Sequence, residues 1–238
     1  MTYRLDEFGF DGMLGCTTAL RNMGSDAAAM QDVADEMVNY LRAQLVDAAG
    51  RPACVLVRLY KTHAFGELPR ELQEFAASGL DEPDSRTRVL TLLSSAGDEL
   101  EWNDVAASKG HRAIALPDAE AVGRYPMIAQ LIAQLGLEVA QVVAPDMGML
   151  VDADRPEYNV FYVEDAVGSP SIPAQDFVEA YGVRSALGFG GLLPRGDMYA
   201  VVLFSRVHVP RASAQLFRSV ALGVNLPLIA TGSLPLFR

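Results

Sequence analysis

Cysteine, histidine and tryptophan are scarce in this chain. Its 238 residues hold two cysteines, three histidines and one tryptophan. Cys16 and Cys54 lie far apart and form no CxxC pair. The sequence therefore gives no disulfide framework, and a reducing, cytoplasmic setting is expected. HExxH and HxH are absent, and none of His63, His111 and His208 stands at metal spacing from another ligand type, so no metal is expected. Asp, Gly, Pro or Gln interrupts the apolar runs well before membrane-spanning length. The opening MTYRLDEFGFDG has no basic stretch followed by an apolar one, so no signal peptide is expected. Basic residues number 19 against 30 acidic ones, giving a net charge of −11. That surface repels phosphate backbones and anionic lipid, so neither nucleic acid nor membrane is an expected partner.

What is present is an ordinary globular composition, 50% hydrophobic and 21% charged. The length suits one α/β domain with an extension. From Ser25 or Asp26, apolar residues recur at Met30, Val33, Met37, Leu41, Leu45 and Ala48, one face of a helix that Gly50 stops. The stripe packs on its own domain or forms a dimer seam. Ala53–Thr62 and Arg88–Ser95 read as strands, with a return strand at Glu99–Asn103 and a short one before Pro117. Helices are expected at Pro69–Gly79, on either side of Pro126, at Ala174–Tyr181 and after Pro210, and a strand at Tyr158–Val163. The tail PLIATGSLPLFR has no clear helical pattern.

The segment GFGGLLPRGDMYAVVLFSR, Gly188 to Arg206, poses the main question. A phosphate-binding P-loop needs lysine after its second glycine, and Asp197 stands there instead. The G-x-G-x-x-G fingerprint also fails, because Leu193 takes its last position and a strand follows rather than a helix. A hairpin fits better: Pro194 fixes φ, and Gly196 supplies a left-handed residue. Both alternating sets of Met198–Ser205 are largely apolar, as expected of a central strand covered on two faces. Gly188, Gly190 and Gly191 are costly in a strand unless a helix, a bulge or a ligand comes close.

This hairpin and its Pro-started helix resemble the end of a GAF domain. Upstream, EWND…SKGHRAIALP…YPMIAQLIAQLG and NVFYVEDAVGSPSIPAQDFV are similar to a divergent GAF-like sensory family found before bacterial histidine kinases, phosphatases and cyclases. The resemblance covers roughly Ala53 to Leu226. It implies an α+β domain over 53–238, with a mainly antiparallel sheet of five to six strands, helices on both faces, and an N-terminal helical extension over 1–52. Functionally it implies a cytoplasmic sensory module that binds a small molecule. The Asp98–His111 and Asp165–Ala180 segments would order over the sheet and repack the terminal helices against a signalling partner, a fused effector or a second copy in a homodimer. A ligand-free scaffold of the same fold, with a filled core, is the alternative, and an enzyme on a small anionic metabolite a third. The cysteine–histidine pair of bilin-binding members, the cyclic-nucleotide pattern and the pocket cysteines of the methionine sulfoxide reductases are all missing. A covalent bilin is accordingly not implied, and the cofactor stays unknown.

Candidate ligand residues are Trp102 as a flat wall, His111, Tyr162, Tyr181 and Phe189, with Phe161 beside them. Arg184 would neutralise a ligand anion if it points inward. Each has a plainer role in packing or solubility. Haem rests on His63 alone, as an axial ligand, against an ordinary hydrogen-bonded histidine. Catalytic residues are not apparent: G-x-S-x-G is absent, Ser169 and Ser171 lack partners, and acidic pairs such as Asp152/Asp154 and Glu164/Asp165 are expected of an acidic surface.

Overall fold

The computed structural model describes residues 1–78, 84–108, 110–145 and 159–238. Strand-forming runs rich in Val, Leu and Tyr build one antiparallel sheet of six strands. In chain order these are β3 (Cys54–Ala64), β4 (Arg88–Gly97), β5 (Ala113–Leu116), β6 (Val160–Val163), β7 (Ser185–Leu192) and β8 (Met198–Ser205). They lie side by side as β5-β4-β3-β8-β7-β6. The first and last strands therefore meet at the centre, where β3 pairs with β8 from Cys54↔Ser205 to Lys61↔Tyr199. A two-residue parallel pair stands apart, β1 (Tyr3–Arg4) on β2 (Leu45–Val46).

Helices cover both faces, as the sequence implied. On one face lie α1 (Phe10–Arg21), α2 (Met30–Gln44) and α8 (Arg211–Ala230). They enclose the largest core, in which Met37, Leu41 and Phe217 meet Val57, Leu59, Phe189 and Val201. On the other face lie α4 (Ala119–Gly123), α5 (Pro126–Gln134), α6 (Val139–Val143) and α7 (Gln175–Tyr181); α3 (Arg70–Ala77) packs at the β5 edge. Phe161, Val163, Val202 and Phe204 point toward this second layer. Alternation along β6 and β8 thus feeds two cores from one strand.

The first helix layer is tied to the chain's other end. The α2 N–H groups of Met30 and Gln31 donate to Pro235 and Leu236 carbonyls, at 2.9 and 3.0 Å. Arg238 Nε donates to Asp32 Oδ1 at 2.7 Å, while Asp32 Oδ2 accepts from Ala28 and Ala29. Phe8 stacks on Phe217 with centroids 4.5 Å apart. A Cβ at Gly223 would lie 2.6 Å from the Thr17 carbonyl, so α1 and α8 approach backbone to backbone.

Several elements differ from expectation. Helix α2 starts at Met30, because Ala29 is extended and the tail carbonyls cap the first turn. It ends at Gln44, because Leu45 turns to β geometry to pair with Tyr3. The expected return strand at Glu99–Asn103 is instead a 3-10 turn, Leu100–Asn103. Asn103 locks it, its Oδ1 accepting from Gly97 N at 2.9 Å and its Nδ2 donating to the Glu99 carbonyl. Helix α8 continues through Pro227 into the stretch that had no helical pattern. Val139–Val143 is helical where an irregular region was expected. Tyr158 and the Asp152/Asp154 pair lie outside the described residues.

Candidate functional site

The hairpin comes first. Leu193 N donates to the Asp197 carbonyl and Gly196 N to the Leu193 carbonyl, both at 2.8 Å, and Gly196 has φ +80°. The Asp197 side chain accepts from Lys61 Nζ and Arg88 Nη1, each at 2.8 Å. The acidic residue that rules out a P-loop thus anchors the turn to β3 and β4. Burial lowers the Lys61 pKa, and the Asp197 charge opposes that shift.

Two glycines of β7, Gly188 and Gly190, have structural neighbours. A Cβ at Gly188 would sit 2.9 Å from Leu131 Cδ1 and 3.2 Å from Phe161 Cβ. A Cβ at Gly190 would sit 2.1 Å from the Tyr199 carbonyl oxygen and 2.9 Å from Ala200 Cα. Helix and neighbouring strand take up that space.

A cavity of about 510 Å³ lies elsewhere, between the sheet and α5 and α7. Its floor is Leu56, Arg58 and Tyr60 of β3 with Leu90, Ile114, Val202 and Phe204 from neighbouring strands. Pro126, Met127 and Leu131 of α5, with Phe177 of α7 and Ile172 and Pro173 just before it, form the roof. Pro126 pre-sets the first turn of α5, and Tyr125 offers no side-chain cap, so α5 begins at the cavity wall. Trp102 closes one side, packed edge-on against Phe177 and Tyr181 at 5.6 and 4.6 Å. Gly97 makes that seat possible: a Cβ there would lie 2.6 Å from Trp102 Cε3.

Among the described residues, the walls are largely apolar and their charged groups are all basic: Arg58, Arg124 and His111. Arg124 and His111 are exposed at the mouth, whereas Arg58 is half-buried. Arg58 Nε donates to Ser95 Oγ at 3.3 Å and Nη1 to Tyr60 Oη at 3.4 Å. Crowding by surrounding atoms, and then the Arg58 charge, lower the His111 pKa. Burial raises the Tyr60 phenol, against the pull of Arg58.

Of the expected ligand residues, the structure brings together Trp102 and His111 on the cavity wall, with Tyr181 behind Trp102. Tyr162 and Phe189 face the opposite core. Tyr162 Oη donates to the Val209 carbonyl, and Phe189 lies 5.4 Å from Phe217. Arg184 is exposed at the start of β7, and Phe161 packs under Leu131 and Leu135. His63 is buried outside the cavity lining and its ring nitrogens make no hydrogen bond. Cys16 and Cys54 lie in the core on the other face, where burial pushes both thiols up to about 12. Sequence reasoning missed Arg58. Its signal was a cation within the apolar run VLVRLY, in register with Leu56 and Tyr60 on one face of a strand buried on both sides.

Among the described residues, no group of three His, Cys, Asp or Glu is placed to hold a metal ion, and no helix is long and apolar enough to cross a membrane. No family model matches the chain, and no curated protein matches it. Solved structures similar to it include GAF domains. That of an Acinetobacter phosphoenolpyruvate-protein phosphotransferase is 12% identical, with 94% of this chain and 97% of that one covered and a TM-score of 0.42. The phycocyanobilin-bound GAF domain of a cyanobacterial phytochrome is 12% identical over 93% and 94%, at 0.44. A phycoerythrobilin-bound GAF domain, also of a cyanobacterial phytochrome, is 12% identical over 92% and 96%, at 0.39. What those domains bind is a property of those proteins, and the six-strand order and two helix layers carry the fold class here.

Proposed function

We propose that this chain is a GAF-like sensory or regulatory module. It takes one small, largely apolar molecule between the sheet and α5/α7 and passes occupancy to its terminal helices. The observation that carries this is the open cavity of about 510 Å³, within the size range of small-molecule sites. Unfilled volume on a sheet face favours a ligand over a ligand-free scaffold, whose core would be filled.

A route to the other face supports the relay. Asp98 directly precedes the turn that carries Trp102. Its carboxylate accepts from Arg42 of α2 at 2.8 Å and also pairs with Arg206 just after β8. Displacing Trp102 therefore pulls on an ion pair anchored in the opposite helix layer. In that layer, Phe10 and Leu14 of α1 and Leu222, Leu226 and Ile229 of α8 are exposed at helical spacing, an apolar surface suited to a second copy of the chain.

The test uses the neutral fluorescent probe N-phenyl-1-naphthylamine with Trp102, the single tryptophan, as energy donor. One probe per chain is expected, lost in Val202→Phe, which fills the floor. Saturation should change amide hydrogen exchange in α2 and α8, and Leu222→Glu with Leu226→Glu should reduce the sedimenting mass to one chain. Binding undisturbed by Val202→Phe would refute the site, and unchanged exchange at saturation would refute the relay.

A further inference from the structure

Arg58 has no acidic partner among the described residues. Among the described residues no carboxylate lies within ion-pair distance of it, whereas the enclosed cations Lys61 and Arg88 share Asp197 and Arg112 pairs with Glu71. Its two hydrogen bonds go to the neutral hydroxyls of Ser95 and Tyr60, and both are long at 3.3 and 3.4 Å. A guanidinium held in an apolar enclosure without a counter-charge is unfavourable unless something else supplies one. Arginine also presents a planar fork that matches a carboxylate. Among the described residues, the cavity wall contributes no acid that could do so.

Resting on the cavity being a ligand site, we infer that its ligand is an organic monoanion, an aromatic or aliphatic body carrying one carboxylate that Arg58 binds. The body lies against Leu56, Leu90, Ile114, Leu131 and Val202, and Trp102 covers it from the side. One half-buried cation balances one negative charge. A phosphate monoester would bring a second charge, and only the exposed His111 and Arg124 at the mouth stand near to meet it. Crowding and Arg58 already disfavour protonation of His111. Arg58 points away from α8, since its neighbours Val57 and Leu59 supply the opposite core. Its charge is thus part of the ligand side of the sheet alone.

Matched probes test this in the intact chain: 4-phenylbutyrate, indole-3-propionate and decanoate, each beside its primary amide, and 3-phenylpropyl phosphate. Calorimetry and Trp102 fluorescence report binding. At least one carboxylate should bind about 10- to 100-fold more tightly than its amide, the range of a hydrogen bond to a charged group. The phosphate ester should bind no more tightly than the carboxylate. Arg58→Gln should erase the carboxylate preference. Ligand-free Arg58→Gln should melt no lower than the parent, because the substitution removes an unpaired charge. Equal affinity of acids and amides, a tighter phosphate ester, no binding by any of the three acids, or a clear fall in melting temperature for Arg58→Gln would each overturn the inference. Retained naphthylamine binding without carboxylate preference would sink it while leaving the cavity as a site; loss of both would sink the site as well.

Discussion

Alanine at Gly190 is expected to destabilise the protein by about 2 kcal/mol or more, while alanine at Gly188 costs about 1 kcal/mol or less. At Gly190 the new methyl would lie 2.1 Å from the Tyr199 carbonyl oxygen, more than an ångström inside contact, with Ala200 Cα at 2.9 Å. Those atoms belong to the backbone of β8, which β3 pins from its far side, so relief requires opening the ladder at the centre of the sheet. Overpacking of this kind costs about 1–3 kcal/mol, and the upper end applies where backbone has to move. Alanine's smaller loss of chain entropy returns about 0.5–1 kcal/mol. At Gly188 the obstacle is Leu131 Cδ1, the end of a flexible side chain beside an open cavity, so it can rotate away. In a chain this long, 1 kcal/mol shifts the melting temperature by about 2–4 °C, so Gly190→Ala should fall by about 4–8 °C. Calorimetry and urea unfolding with an unchanged m-value give the comparison. A Gly190→Ala protein as stable as Gly188→Ala would refute the claim that the neighbouring strand, not a ligand, demands glycine there.

Two further outcomes follow from buried charge. Asp197→Ala leaves Lys61 and Arg88, 6% and 14% exposed, without their carboxylate, and should cost about 3–5 kcal/mol in urea unfolding at neutral pH; near-parent stability would show that the pair is not holding the turn. Burial, with the charges of Lys61 and Arg88, holds His63 well below its ordinary 6.5. The unfolded chain takes up a proton near pH 6.5 that the folded one refuses, so stability is intact above that value and falls as pH drops below it. One such histidine costs about 1 kcal/mol between pH 6.5 and 5.5. His111 adds in the same direction, so His63→Leu should flatten the fall in part. A parallel pH profile for parent and His63→Leu would count against a neutral buried imidazole.

How far the sequence could be read depended on where the information sat. Period-two alternation in Met198–Ser205 marked a strand with two covered faces, and Pro126 marked a helix start or a kink; the strand and the helix start are in the structure. The edges of α2 could not be read, because distant residues set them: Pro235 and Leu236 cap its start, and Tyr3 draws Leu45 into a strand. Glu99–Asn103 looked like a strand by composition, but Asn103 closes it locally into a turn. The candidate site divided along the same line. Trp102 and His111 line the cavity, but the aromatic residues Tyr162 and Phe189 sit on the other side of the sheet, which only the register of β6 and β7 could decide.

That register gives the molecule its two-sided character. In β8, Val202 and Phe204 face the cavity while Tyr199, Val201 and Leu203 face α8, and the Tyr199 hydroxyl donates to the Ala221 carbonyl at 2.8 Å. In β3, Leu56, Arg58 and Tyr60 alternate with Val57 and Leu59 in the same way. The two central strands are each other's neighbours, so a displacement on the cavity face has no loose edge into which to dissipate. It meets either close-packed side chains over α8 or the Asp98 link to Arg42. A sheet built so that first and last strands meet in the middle thus puts the cavity-facing side chains and the helix-facing ones on the same backbone, which is the physical basis of the proposed coupling.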